Sequence, residues 1–137
     1  MSTESTNSST NNRFLTAAIE TFEKAETKKL VTALVDRYYP LFAAKGVPYP
    51  KAIRVKVMKT RHGSCSSAKG YLNFSSRLCQ YAPAFVEYVV VHELCHRKEM
   101  NHSAKFWALV RQTMPDYEIW RKWLRSEGNT MIGRLPE

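Results

Sequence analysis

Two histidines four residues apart, with a glutamate after the first, stand in the sequence His92-Glu93-Leu94-Cys95-His96. On an α-helix, residues four apart lie on the same face about one turn (~5.4 Å) apart, so both imidazoles can point at one zinc ion. Glu93 lies ~100° around the helix, where it cannot be a third ligand but can reach a water bound to the metal. The spacing therefore predicts a zinc-dependent hydrolase in which Glu93 moves protons.

His102 is the candidate for the third zinc ligand. A continuous helix would carry it ~15 Å beyond His92, so this prediction requires the helix to end between Arg97 and Asn101. Ser103 can then cap a following helix. Three protein ligands leave the fourth position of a tetrahedral zinc ion open, which is the arrangement of catalytic sites.

Two other ligand sets stay open at this point. Asp116 or Glu118, on a later helix, can take the place of the third histidine. A closed structural zinc site would instead be formed by one histidine with Cys65, Cys79 and Cys95. This ligand set does not account for the four-residue spacing of the two motif histidines.

Hydrophobic periodicity predicts the elements that position these residues. Apolar residues recur every three or four positions over 13–41, which predicts one long helix or two, with Pro40 kinking or ending the last turns. A strand is expected over 53–57 and a returning strand over 71–74, in a small antiparallel sheet. Pro83 opens the motif helix, and two C-terminal helices follow it. The predicted fold class is α+β, with its N-terminal helix or helices before the sheet.

The 137 residues predict a single domain. Residues 1–12 are rich in Ser, Thr and Asn and are predicted to be a disordered tail. The domain is expected over 13–128, followed by a C-terminal tail over 129–137.

The composition also indicates a compartment. The sequence contains no apolar run of membrane-spanning length and no signal-peptide pattern at its beginning, so no membrane association is expected. Its three cysteines are too few and odd in number for a disulfide framework, which favours a reducing environment and therefore the cytoplasm.

The net charge of +9 is unevenly distributed. No Asp or Glu occurs between Arg37 and Val86, a stretch that carries eight Lys and Arg residues. Arg54 and Lys56 should share one exposed face of their strand, while Ile53, Val55 and Val57 point inward. This surface is either an ordinary solvated face or a contact for nucleic acid or an acidic partner.

Taken together, the chain resembles the YgjP-like metallopeptidase-domain family, relatives of the SprT-like and other small zincin proteases. The resemblance covers roughly residues 30–126, and the matching segments are 58–67, 72–73, 77–78, 82–83, 88–96, 101–103, 106–107, 114–117 and 123–124. It implies a minimal zincin fold, one zinc ion per chain on His92, His96 and His102, Glu93 as catalytic acid and base, and a protein or peptide substrate. His62 stands where the family usually has Trp.

Peptide hydrolysis also needs a donor for the oxyanion that develops on the substrate. Arg61, His62 and Tyr71 are candidates for this donor or for another substrate contact, and the sequence does not decide among them. An edge strand of the sheet can hold an extended peptide by strand addition. The alternative function is a nucleic-acid-binding or scaffold module with a structural zinc and vestigial hydrolysis.

Overall fold

The structure is a computed structural model that describes residues 3–128. Its helices and strands, in chain order, are α1 (Thr3–Ala43), β1 (Ala52–Lys56), β2 (Gly63–Ser66), β3 (Tyr71–Ser75), a 3₁₀ segment (Ser76–Gln80), α2 (Pro83–His96), α3 (Ala104–Thr113), α4 (Tyr117–Trp123) and a π-helical turn (Leu124–Gly128). The α+β class and the order of elements agree with the prediction. The predicted C-terminal tail, 129–137, lies outside the described residues.

The N-terminal helix is a single element of 41 residues that runs through Pro40 and ends at Ala43. Gly46, with a φ of 83°, turns the chain after it. Residues 3–12, predicted as a disordered tail, continue this helix, because extending a formed helix adds one hydrogen bond for each residue that is ordered. The limits of the domain itself remain a prediction.

The sheet is mixed, where a purely antiparallel one was predicted. Its order is β1-β3-β2, with β1 parallel and β2 antiparallel to β3. The turn-rich stretch before Tyr71 contains strand β2, which forms a hairpin with β3 through a turn at Gly70 (φ 76°). The prediction that Val57 points inward is also wrong, since this residue follows the end of β1 and is 46% exposed. Alternation of side chains shows which faces are buried, but it does not show which strands pair.

Helix α2 lies at the centre of the fold and is buried on nearly every side. It packs against α1, strand β2 and α3, so all layers of the protein contact it. Pro83 stands in its first turn, as predicted. The end of α2 is therefore held by the whole core, and any chemistry placed there has a rigid support.

Within residues 3–128, no helix is both long and apolar enough to cross a membrane. The three cysteines are free thiols.

Candidate metal centre

Three histidines converge at the end of α2. His92 and His96 occupy successive turns, and their Nε2 atoms lie 3.2 Å apart. The helix ends at His96, with Arg97 as its C-cap, and the chain then turns back so that the Nε2 of His102 lies 3.0 Å from that of His96 and 3.2 Å from that of His92. Ser103 caps α3 by accepting a hydrogen bond from the Phe106 amide at 3.4 Å. The helix thus ends one residue before the predicted interval, and the predicted cap by Ser103 is confirmed.

The spacing of these nitrogens fits a tetrahedral metal ion. Ligands ~2.05 Å from zinc at tetrahedral angles lie about 3.3 Å from one another, and the three observed separations are 3.0, 3.2 and 3.2 Å. Each neutral imidazole carries one N–H, so the three facing nitrogens cannot all be satisfied by hydrogen bonds among themselves. A cation satisfies all three lone pairs at once.

The protonation of the histidines is also suited to a metal. His96 donates its Nδ1–H to the carbonyl oxygen of Glu99 at 3.1 Å, which leaves the Nε2 lone pair free. Burial, and then the neighbouring charges of His96 and His102, lower the pKa of His92 well below its ordinary value. Burial is also the main cause of the lowered pKa of His96. Neutral imidazoles of this kind are the form that binds metals.

The other predicted ligand sets do not form. Within residues 3–128, the three histidines are the one group of His, Cys, Asp or Glu side chains close enough together to share an ion. Asp116 and Glu118 are exposed at the start of α4 and do not join the group, and the cysteines lie on three different elements. These alternatives were wrong because the sequence predicts which helix or strand carries each acid or thiol, but not how those elements pack against one another.

Glu93 lines the same cleft as the histidines but is only 2% exposed. Burial raises its pKa to about 8, and the charge of Arg61 acts in the opposite direction. The backbone of β2 passes directly beside it. A Cβ atom on Gly63 would lie 3.1 Å from Glu93 Cγ and 3.1 Å from the Asn73 carbonyl oxygen, so any larger residue at this point of the strand would have to displace these neighbours by a few tenths of an ångström. The sequence gives no separate signal for this role of Gly63, because a glycine in a turn-rich stretch has an ordinary explanation.

The cleft holds about 190 Å³ and has two walls. One wall is formed by the end of α2 and the loop after it, with the three histidines, Glu93 and Met100, and the other by Arg61 and the first residues of β2. Within β2, burial raises the pKa of Cys65 to about 11, with the Glu93 charge adding to this effect and the Arg97 charge opposing it. Because β2 is at an edge of the sheet, this second wall includes a strand with one unpaired side.

Two aromatic rings of α3 lie against the histidines. Phe106 stacks on His96 with ring centroids 4.4 Å apart, and Trp107 stacks on His102 at 6.0 Å. Two residues of α4 also contact Trp107. The Arg121 guanidinium lies 3.9 Å above its ring, and the Tyr117 ring stacks on it at 5.5 Å. The signal for this role was the position of two aromatic residues one turn after His102.

Of the three candidates for a substrate contact, only Arg61 lines the cleft. His62 is fully buried (0% exposed) and packs edge-on against Tyr81 and Phe85, with ring centroids 5.6 and 5.1 Å away. Both of its ring nitrogens are without a hydrogen-bond partner among the described residues, and burial lowers its pKa to about 4. Tyr71 begins β3 and does not line the cleft.

The basic pair predicted on the first strand is exposed, but it lies away from the metal centre. Arg54 and Lys56 are on β1, and β3 separates this strand from β2. The Arg54 guanidinium lies over the ring of Tyr71, 5.1 Å from its centroid. If this pair binds nucleic acid, it does so at the far edge of the sheet from the strand that lines the cleft.

Comparison with known proteins decides the family. The sequence profile of the YgjP-like, metallopeptidase domain family matches residues 2–127. The chain belongs to this family. No curated protein matches the YgjP-like chain.

Solved structures share the fold of this YgjP-like domain. The metallopeptidase zymogen abylysin of Pyrococcus abyssi is similar with a TM-score of 0.64 and 19% identity, over 77% of this chain and 99% of its own. The metallopeptidase zymogen jannalysin of Methanocaldococcus jannaschii is similar with a TM-score of 0.55 and 20% identity, over 76% of this chain and 96% of its own. At these identities the likeness of the YgjP-like domain to both proteins is one of fold.

Proposed function

We propose that this protein is a zinc-dependent peptidase that binds one zinc ion per chain through His92, His96 and His102. The observation that carries the proposal is the convergence of three imidazole Nε2 atoms within 3.0–3.2 Å of one another at an open cleft, with a carboxyl group beside them. Three histidine ligands leave one coordination position for the reacting groups, as in catalytic zinc sites.

Glu93 is the proposed acid and base. A bound zinc ion would supply Lewis acidity, which polarises the scissile carbonyl and makes water more acidic. The positive charge of a bound ion would counteract the burial that raises the pKa of Glu93 and so favour the ionised carboxylate. In this form, Glu93 accepts a proton from the water that attacks the carbonyl carbon, and it later gives this proton to the nitrogen of the amine that leaves as the C–N bond breaks. The β2 backbone at Gly63 passes so close to this carboxyl group that an added Cβ atom would lie 3.3 Å from its Oε2.

We propose that the substrate backbone binds along the edge strand β2. Among the described strands, it pairs only with β3, and its residues Gly63, Ser64 and Cys65 line the cleft. An extended peptide added to this edge would run past the histidines with its carbonyl groups facing the cleft. Backbone hydrogen bonds would then provide affinity that does not depend on the substrate sequence, and the cleft walls would provide selectivity.

The alternative, a scaffold or nucleic-acid-binding module with a structural zinc, fits the site less well. A structural zinc site is closed by a fourth protein ligand. In the part of the chain that the structure describes, no fourth His, Cys, Asp or Glu joins the three histidines. This open arrangement, together with the buried Glu93, supports the peptidase.

The test compares the wild type with Glu93→Gln, and Glu118→Gln serves as the matched control because Glu118 is exposed on α4. All three proteins should contain one zinc per chain by metal analysis. Wild type and control should cleave members of a broad peptide library, read by mass spectrometry, and Glu93→Gln should be about 10²- to 10⁴-fold slower. Equal cleavage by Glu93→Gln and wild type, or a zinc-loaded wild type that cleaves no peptide, would refute the proposal.

A further inference from the structure

Arg61 lies at the cleft without a protein anion to neutralise it. It is exposed, it stands two residues before the first residue of β2, and it lines the same space as the histidines and Glu93. Among residues 3–128, no carboxylate lies within ion-pair distance of its guanidinium. Its charge acts through space on the buried carboxyl group of Glu93, whose pKa it lowers. The hydrogen-bond donors of Arg61 are therefore available to a ligand.

The surroundings of Arg61 add to its positive charge. It belongs to the stretch from 38 to 86, which contains no Asp or Glu, and Lys59 just before it is also exposed. Arg97 supplies a second cation close to Cys65, near the other end of β2. A peptide lying along β2 would thus have a positive charge near each end of the strand. Low-dielectric cleft walls strengthen the attraction of such a field for anions.

We propose that the cleft selects peptides that carry Asp or Glu within about two residues of the scissile bond, and that Arg61 binds this carboxylate. The distance follows from the strand rise of ~3.4 Å per residue, because Arg61 is two residues from the Gly63 that contacts Glu93. A guanidinium presents a planar pair of N–H groups that matches a carboxylate with two parallel hydrogen bonds. This inference rests on the proposed function, and it adds the class of substrate.

Two other roles for Arg61 make different predictions. As the donor to the oxyanion, it would help all peptides equally, whatever their side chains, and its loss would lower kcat. As part of a general nucleic-acid surface, it would act together with Arg54 and Lys56, which lie across the sheet on β1. Only a specificity role makes the effect of Arg61 depend on the charge of the peptide.

The experiment measures binding to the zinc-loaded protein, so that it does not depend on knowing a cleavable substrate. The probes are short peptide hydroxamates, which anchor on zinc, and they carry Glu, Gln or Lys beside the hydroxamate. One set extends from the zinc toward the peptide N-terminus and the other toward the C-terminus. Dissociation constants are measured by calorimetry for wild type, Arg61→Gln and Arg61→Glu. Arg77→Gln is the matched control, because Arg77 is exposed and lines a different groove beside α1.

In at least one set, the wild type and Arg77→Gln should bind the Glu probe about tenfold more tightly than the Lys probe, as for a partly exposed charge-assisted contact. Arg61→Gln should abolish this difference, Arg61→Glu should reverse it, and added salt should reduce it in the wild type. Equal binding of the Glu and Lys probes in both sets, or a preference that survives in Arg61→Gln, overturns the inference but leaves the proposed function intact. If no hydroxamate binds the zinc-loaded protein, the open metal site itself is wrong and both proposals fall.

Discussion

Replacing His62 with Phe should stabilise the protein and change how its stability depends on pH. His62 is a polar side chain whose two ring nitrogens are buried and have no hydrogen-bond partner among the described residues, between the rings of Tyr81 and Phe85. A buried polar atom without a hydrogen bond costs about 1–3 kcal/mol. Phe keeps an aromatic ring and removes both nitrogens, so His62→Phe should raise the free energy of unfolding at pH 7.5 by up to that amount, less the cost of fitting its larger six-membered ring.

The pH dependence of the free energy of unfolding gives a more specific expected value. Burial lowers the pKa of His62 from 6.5 to about 4, so between these values the unfolded chain binds a proton that the folded protein does not. Stability therefore falls as the pH falls through this window, at about 1.4 kcal/mol per pH unit. At pH 4.5 the wild type should have lost about 2.5 kcal/mol through His62, while His62→Phe has no such group to protonate.

Urea unfolding of the two metal-free proteins at pH 7.5 and pH 4.5 gives the four free energies required. A chelator in every sample keeps the zinc ligands in the same metal-free state, and their own protonation cancels in the comparison of variant with wild type. The stability advantage of His62→Phe should be about 2.5 kcal/mol larger at pH 4.5 than at pH 7.5. The same advantage at both values would mean that His62 is not held neutral in the core, and the reasoning would fail.

Three further outcomes are expected. His102→Ala should lose most of its bound zinc while Glu118→Ala keeps a full complement by metal analysis, and the opposite pattern would move the third ligand to α4. Gly63→Ala should retain zinc, but the new Cβ atom would lie 3.1 Å from Glu93 and from a carbonyl oxygen of β3. The variant should therefore be about 1–3 kcal/mol less stable in urea unfolding and should cleave peptides more slowly. An unchanged cleavage rate would contradict the close approach of Gly63 to Glu93. Binding of DNA through Arg54 and Lys56 should weaken steeply with salt in fluorescence anisotropy and fall on charge reversal of both residues, whereas no binding at ~50 mM salt would leave them an ordinary solvated pair.

The sequence predicted the parts of the site that depend on local geometry. Because residues four apart share one face of a helix, the sequence predicted that His92 and His96 lie together. The same geometry showed that the helix must end before His102 for this residue to reach the other two histidines. The features that the sequence did not predict depend on packing between segments that are distant in the chain. The parallel pairing of β1 with β3 and the burial of His62 both depend on which surfaces meet in the folded chain, and neither is encoded in the periodicity of a single segment.

The role of the aromatic rings was missed for a related reason. Phe106 and Trp107 are neighbours on an amphipathic helix, where aromatic residues commonly belong to the core, and only the fold shows that their rings lie against His96 and His102. A contact between a ring and a metal ligand leaves no separate signature in the sequence, because burial alone explains the same residue types.

All three proposed zinc ligands fall within an eleven-residue stretch, from His92 to His102. The chelating sequence is therefore nearly intact in a chain that has not yet acquired its tertiary structure. Zinc can bind such a chain weakly, and in doing so it would favour the last turn of α2 and the reversal that follows before the sheet is assembled. For the same reason, zinc should raise the equilibrium stability by less than its affinity for the folded protein suggests, because the unfolded chain competes for the ion.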